Sequence, residues 1–246
     1  MPRLRVIMLA LLFVLLPAKP MPAELVTALS SNLVAITTGF TGSNVLLFGT
    51  TGGEGDIIVV VRGPEGTEVV RRKARRFGLW INEAEARFVN VPQFYAIAES
   101  GPIASTLSPS VAARHQIGIS NLRLTAAAMS SGVDLVEFRS ALIRLKQQKG
   151  LYSPRPQQIS FLGERLFRTD MRIPANAPVG DYLVNVFLVR NGEVTSAEIT
   201  PLKVSKIGFE AWTYRFARSE PLVYGVLAVA LAAVAGWLAN MLFRKG

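Results

Sequence analysis

Leu222 to Phe243 is a run of 22 residues with no charge and only Asn240 strongly polar. As a helix rising 1.5 Å per residue it reaches about 33 Å, enough to cross a hydrocarbon core about 30 Å thick. No other feature limits the chain as much, because everything before such a segment must lie on one side of a membrane. Pro221 stands at its entrance, where the missing N–H leaves no helical bond unmade. Tyr224 and Trp237 lie near its opposite ends, as interfacial aromatic residues do, and Arg244-Lys245 follows as a basic stop.

A second apolar run, Val6 to Leu16, follows Arg3 and Arg5. Eleven helical residues reach about 16 Å, too short to span but suited to the apolar core of a secretion signal. Pro17 to Ala23 offers small residues for cleavage, with Ala23 as the expected last residue of the signal. The alternative, an uncleaved N-terminal anchor, leaves the following domain on the same side. The expected topology is N-terminus outside and C-terminus inside. The segments are then a signal at 1–23, an N-terminal β-sandwich region at 24–105, a helical segment at 106–150 and a second β region at 151–205. A juxtamembrane connection at 206–220, a transmembrane helix at 221–243 and a cytoplasmic tail at 244–246 complete the chain.

The 246 residues carry a formal charge of +10, and apolar residues make up 50% of them, enough for a real core. A basic exported domain beside a membrane is drawn to anionic head groups. Nucleic acid is not the expected partner, because the compartment is wrong and no recognition motif occurs. There is no cysteine and one histidine, His115. That removes thiolate chemistry, Cys-ligated zinc and multi-histidine metal sites, so neither a metal nor a cofactor is expected.

Short β-branched or aromatic stretches bounded by turn residues predict strands at Leu33–Ile36, Asn44–Phe48 and Asp56–Val61. Gly63-Pro-Glu-Gly66 reads as a turn into a strand at Thr67–Arg72, with further strands at Phe77–Ile81, Ala86–Val91 and Phe94–Ile97. Ser110 opens a weakly helical stretch, and Val133–Lys149 is an amphipathic helix. Its stripe is Leu135, Phe138, Leu142 and Leu145, with Arg139, Arg144, Lys146 and Lys149 opposite. Strands return at Gln158–Leu162, Leu166–Ile173 and Tyr182–Val189. The hairpin signal Asn191-Gly192 then leads through Val194–Ile199 to Leu202–Val204. The expected class is mainly β, with immunoglobulin-like sandwich halves around a helical segment, plus one C-terminal transmembrane helix. Two small β halves separated by the helix are favoured over one sandwich with a helical insertion.

Residues 33–42, 60–64, 138–146, 174–178 and 186–192, with the C-terminal span, resemble the signature stretches of an alphaproteobacterial family of transmembrane proteins. The resemblance covers nearly the whole chain after the signal. It implies a periplasmic β-rich region anchored in the cell inner membrane, and it brings no catalytic residues. It also implies an association with exporter-like, multi-pass permeases for sulfur oxyanions, a link that no residue of this sequence carries.

Arg71, Arg72, Lys73, Arg75 and Arg76 place five cations in six residues. They read either as a docking surface for an anion, an anionic lipid or an acidic partner, or as a solvated edge strand whose charges discourage edge-to-edge pairing. The following Phe77-Gly-Leu-Trp80 is expected in the core. Gly49 to Asp56 is glycine-rich, but it lacks the Lys-Ser/Thr ending of a phosphate loop and reads as a β-hairpin loop. His115 offers one member of a catalytic triad without a nucleophile elbow, and a structural role is favoured. Glu83 and Glu85 would share a strand face, either as an acid–base pair or as solvated acids of a turn. Ala228, Ala232, Gly236 and Asn240 recur every four residues of the span and form a face along which another helix can approach. These features favour a non-enzymatic accessory protein touching membrane lipid and a multi-pass membrane partner. The alternative is a module that captures an anionic ligand or lipid through the basic strand.

Overall fold

The computed structural model describes residues 24–207 and 216–243. The expected signal run, the expected cytoplasmic tail and much of the juxtamembrane connection lie outside the described residues. The chain begins with β1 (Leu25–Leu29), β2 (Leu33–Ile36), β3 (Gly42–Thr51) and β4 (Asp56–Arg62). Two long strands follow, β5 (Glu65–Arg76) and β6 (Leu79–Pro92), then β7 (Tyr95–Glu99). The middle contains α1 (Ile103–Thr106), α2 (Pro109–His115), β8 (Thr125–Met129) and α3 (Leu135–Gln148). The last part is β9 (Gln157–Gln158), β10 (Ser160–Leu162), β11 (Leu166–Pro174), β12 (Gly180–Arg190), β13 (Glu193–Lys206) and α4 (Pro221–Phe243).

Three sheets result, with strand orders β1-β3-β11-β10, β2-β13-β12-β4-β7-β9 and β5-β6-β8. Strands from before and after the helical segment lie side by side: β3 pairs with β11, and β4 with β12. The β regions therefore do not fold as separate halves; they share sheets, and the helical segment is an insertion. Neither half could satisfy its strand edges alone, and pairing across the insertion removes those edges.

Burial explains the sequence texture of each strand. In β11 exposed and buried residues alternate cleanly, with Phe167, Thr169, Met171 and Ile173 inward, because one face of that sheet meets water. In β4 all five residues from Ile57 to Val61 are buried, because both faces of the six-stranded sheet are covered at its centre. Ile57, Val59, Val184, Val186 and Leu188 meet the four-stranded sheet, within one core that also holds Leu25, Leu47 and Phe167. Thr27 and Thr200 share a hydroxyl hydrogen bond of 3.2 Å between the two sheets. The other face carries Phe187 and Tyr95, and the insertion closes over it. The His115 ring lies 5.4 Å from that of Phe187, and the Tyr95 hydroxyl donates to Gln116 O and accepts from Gly118 N. Burial pushes the Tyr95 phenol up to about 12, so it stays a protonated structural donor.

Several expected elements change shape. The segment 106–150 is not all helical, since β8 runs within it and pairs with β6. Gly63-Pro-Glu-Gly66 is not a turn. The β4–β7 ladder continues through Gly63 N to Phe94 O at 2.9 Å and Gln93 N to Pro64 O at 2.8 Å, straight into β5–β6. The glycine-rich loop after β3 is not a hairpin loop either, because β3 and β4 belong to different sheets. The Val133–Lys149 prediction is met by α3, whose N-cap Asp134 accepts from Val136 N at 2.9 Å. Within its predicted stripe Phe138 and Leu142 are buried, while Leu135 and Leu145 remain exposed.

Among the described residues, α4 is the helix long and apolar enough to cross a membrane, with a mean hydropathy of 2.2 over Pro221–Met241 and no part of it buried.

Candidate functional site

The β5–β6 ribbon is the most distinctive surface of the body. β-Branched residues at Thr67, Val69 and Val70 favour an extended chain, and the two strands pair from Glu65↔Pro92 to Arg76↔Leu79. Bulges at Gly66/Glu68 and Arg72/Lys73 add twist. At 3.3 Å per residue the twelve residues of β5 extend about 40 Å.

The lower part of the ribbon is braced and the upper part stands free. Val70, Ala84, Ala86 and Phe88 are buried, in one core cluster with Phe138 and Leu142 of α3. Lys146 of α3 is buried, not on the solvated side as its sequence position suggests. Its ammonium donates to Glu68 Oε1 at 2.7 Å and to Gln93 Oε1 at 2.9 Å, tying the helix to β5 and to the residue that follows β6. At the other end of α3, the Arg72 guanidinium stands 6.0 Å from the Phe138 ring and 3.3 Å from Glu137. Past Arg72, every residue of β5 is exposed except the half-buried Ala74.

The five cations are not equivalent. Arg71 is paired with Glu85 at 3.1 Å; Arg72 and Arg76 reach Glu83 at 3.4 and 3.0 Å. These pairs are well exposed, and each contributes ~0–1 kcal/mol. Among the described residues Lys73 and Arg75 have no carboxylate partner. Arg75 stands opposite Trp80 and Lys73 opposite Asn82. Glu83 and Glu85 are both exposed, on either side of the buried Ala84, and each serves different arginines.

The tip contradicts the expectation of a buried aromatic segment. Phe77-Gly78 is a two-residue turn with φ of 50° and 80°, the type I′ geometry in which Asn-Gly is favoured. Phe77 is fully exposed, and Leu79 and Trp80 are 69% and 68% exposed. The one sequence signal for it is Gly78 after the cationic run, a weak one because the favoured first residue of such a turn is Asn, Asp or Gly and not Phe.

The remaining candidates lie apart from the ribbon tip. His115 ends α2, and its carbonyl accepts from Arg62, whose guanidinium is lowered by burial while Tyr95 and Glu65 oppose that shift. Asp56, at the end of the glycine-rich loop, accepts from Ser100 Oγ at 2.9 Å. Ala228, Ala232, Gly236 and Asn240 follow one another along exposed α4. A family model described as Putative transmembrane protein (Alph_Pro_TM) matches residues 24–245. No curated protein and no solved structure matches.

Proposed function

The chain belongs to the Alph_Pro_TM family and is a single-pass membrane protein, and from that premise we propose a non-enzymatic accessory protein of the cell envelope. In this reading α4 anchors it in the inner membrane, the sandwich lies in the periplasm after signal-directed export, and the C-terminus is cytoplasmic. The basic pair after the span supports that orientation. The strand orders β1-β3-β11-β10 and β2-β13-β12-β4-β7 support an immunoglobulin-like sandwich, since they follow its four-strand and three-strand sheets with added edge strands.

The ribbon carries the functional reading. Its distal half adds nothing to the core, and it projects from a root that α3 and a buried Lys146 hold in place. An element maintained for its surface fits a protein that works by contact. The groups that could serve acid–base chemistry are occupied structurally: His115 against Phe187, Glu83 and Glu85 against arginines. The proposed partner is a multi-pass membrane protein such as an exporter-like permease, approached along Ala228, Ala232, Gly236 and Asn240.

Extraction of the full chain in a mild detergent should bring down one multi-pass protein in stoichiometric amount. Ala232→Leu, Gly236→Leu and Asn240→Leu together should leave membrane insertion intact and abolish that co-purification. A monodisperse monomer from native membranes, in every mild detergent tried, overturns the accessory reading. A reporter active only outside the cytoplasm should work when fused after Ser205 and be silent after Gly246; the reverse pattern overturns the orientation.

A further inference from the structure

We propose that the ribbon tip is a lipid-docking element: Phe77, Leu79 and Trp80 enter the interface of an anionic bilayer while Lys73 and Arg75 meet its head groups. The inference rests on the reading of α4 as a span with the sandwich beside the membrane.

Position is the first argument. β4 and β13 both run antiparallel to β12, so their C-terminal ends lie at the same end of the six-stranded sheet. From that end β13 leads through residues 207–220 to the span, and β4 continues into the ribbon. Gly180, register partner of Val204, packs at the ribbon's root, where an added Cβ would come within 2.9 Å of Pro64 Cγ. The ribbon from Gly63 to Phe77 measures roughly 45–50 Å, and the fourteen residues 207–220, of which 216–219 are helical, can reach no farther than roughly that distance. The tip can therefore reach the surface into which the chain descends.

Chemistry is the second argument. A left-handed conformation is costly for a bulky residue such as Phe77, and full exposure of its ring adds to that cost. Four large apolar residues in sequence around a turn (Phe77, Leu79, Trp80 and Ile81) are all exposed. Beside them the two cations without carboxylate partners stand on the Trp80 face. An aromatic and aliphatic tip with a cationic collar matches the layered chemistry of a bilayer surface, where indole rings sit at head-group level and basic residues meet anionic lipid.

The chain has no cysteine, so one introduced thiol gives a unique label. Full-length Leu79→Cys, and separately Phe77→Cys, would carry an environment-sensitive fluorophore. Glu193→Cys, beside the Asn191-Gly192 turn at the opposite end of β12, serves as the reference. Each protein is placed alone in nanodiscs of phosphatidylethanolamine and phosphatidylglycerol containing lipid brominated high in the acyl chain. Unfolding midpoints matching the parent establish that the labelled chains are folded. Quenching at residue 79 should be at least threefold that at residue 193. It should fall towards the reference in Lys73→Gln/Arg75→Gln, and in phosphatidylcholine alone. Quenching at residues 77 and 79 no greater than at 193 overturns the proposal. Protection from aqueous iodide only when a co-purified membrane protein is present also overturns it, and leaves the accessory reading standing. Protection that grows with protein concentration in detergent assigns the tip to a second copy and overturns it too. Lipid quenching in a chain that never co-purifies with a partner supports this proposal and removes the accessory reading.

Discussion

At Asn191-Gly192 and at Phe77-Gly78 the backbone turns with nearly the same dihedral angles, φ of 52° and 81° against 50° and 80°. The first turn joins β12 and β13, whose inward residues build the core, and Gly192 O accepts from Ser108 N at 3.1 Å to fasten the insertion. Asn tolerates the left-handed conformation, so residue and geometry agree. The second turn carries Phe where Asn would serve, and the strands beside it bury nothing at their ends. One geometry thus serves a folding device in one place and a presented surface in the other. The difference lies in which side of the stability balance each turn residue falls on.

That contrast is sharpest in the core. Leu188→Ala beside the first turn removes a fully buried side chain and should cost about 2–5 kcal/mol in denaturant unfolding of the detergent-solubilised chain. Leu79→Ala, beside the second, should stay within about 0.5 kcal/mol of the parent. Equal losses would mean that the ribbon tip is covered in solution.

The brace comes next. Glu68→Ala leaves the Lys146 ammonium with Gln93 alone and should cost about 2 kcal/mol, less than breaking a wholly buried pair because Glu68 is partly exposed. Amide exchange should quicken along Glu65–Arg76 and stay unchanged in β12. Unchanged exchange in β5 would show that α3 does not hold the ribbon.

Exchanging the turn residues should move stability in opposite directions. Asn191→Ala should destabilise by about 1 kcal/mol, because alanine loses the tolerance of Asn for the left-handed region. Phe77→Asn should stabilise by a similar amount while weakening lipid quenching of a tip label. A loss of stability in Phe77→Asn would mean that the ring packs on something in the folded chain.

The smallest effect belongs to the exposed ion pairs. Arg71→Gln should shift the unfolding midpoint by less than about 0.5 kcal/mol in equivalent free energy. A larger loss would assign the basic run to stability and not to contact.

The span, α3 and most strands are legible from the sequence, because apolar period and length carry them, but β1 and β8 are not. Asp56–Arg62 and Tyr182–Val189 showed apolar residues at both parities, the mark of strands covered on two faces. That information did not reveal what covered them. The partner of β4 is β12, more than a hundred residues away, and local pattern does not encode such distant pairing; hence the expectation of two halves. The burial of Lys146 is hidden in the sequence, because charge suggests solvent unless its carboxylate partner is known, and Glu68 is on another element. The five cations were found, but their unequal roles depend on a bulge between Arg72 and Lys73 that alternation alone cannot show. Phe77 to Trp80 reads as core because aromatic residues bury large areas, an expectation that fails here because the segment forms an exposed turn.

The interleaving of early and late strands also fixes when the molecule can mature. Synthesis runs from N- to C-terminus at about 5–20 residues per second, and Arg62 must wait for Leu183. The delay is roughly 6–24 s at those rates. β13 ends only a short connection before the span, so the last ladder closes as the anchor itself is being delivered. Through that interval Ile57–Val61, an uninterrupted β-branched segment, travels without its neighbour and is prone to self-association. Asp56 and Arg62 stand directly at its two ends. Flanking charges of this kind discourage self-association of an apolar strand until the partner strand that buries it has been made.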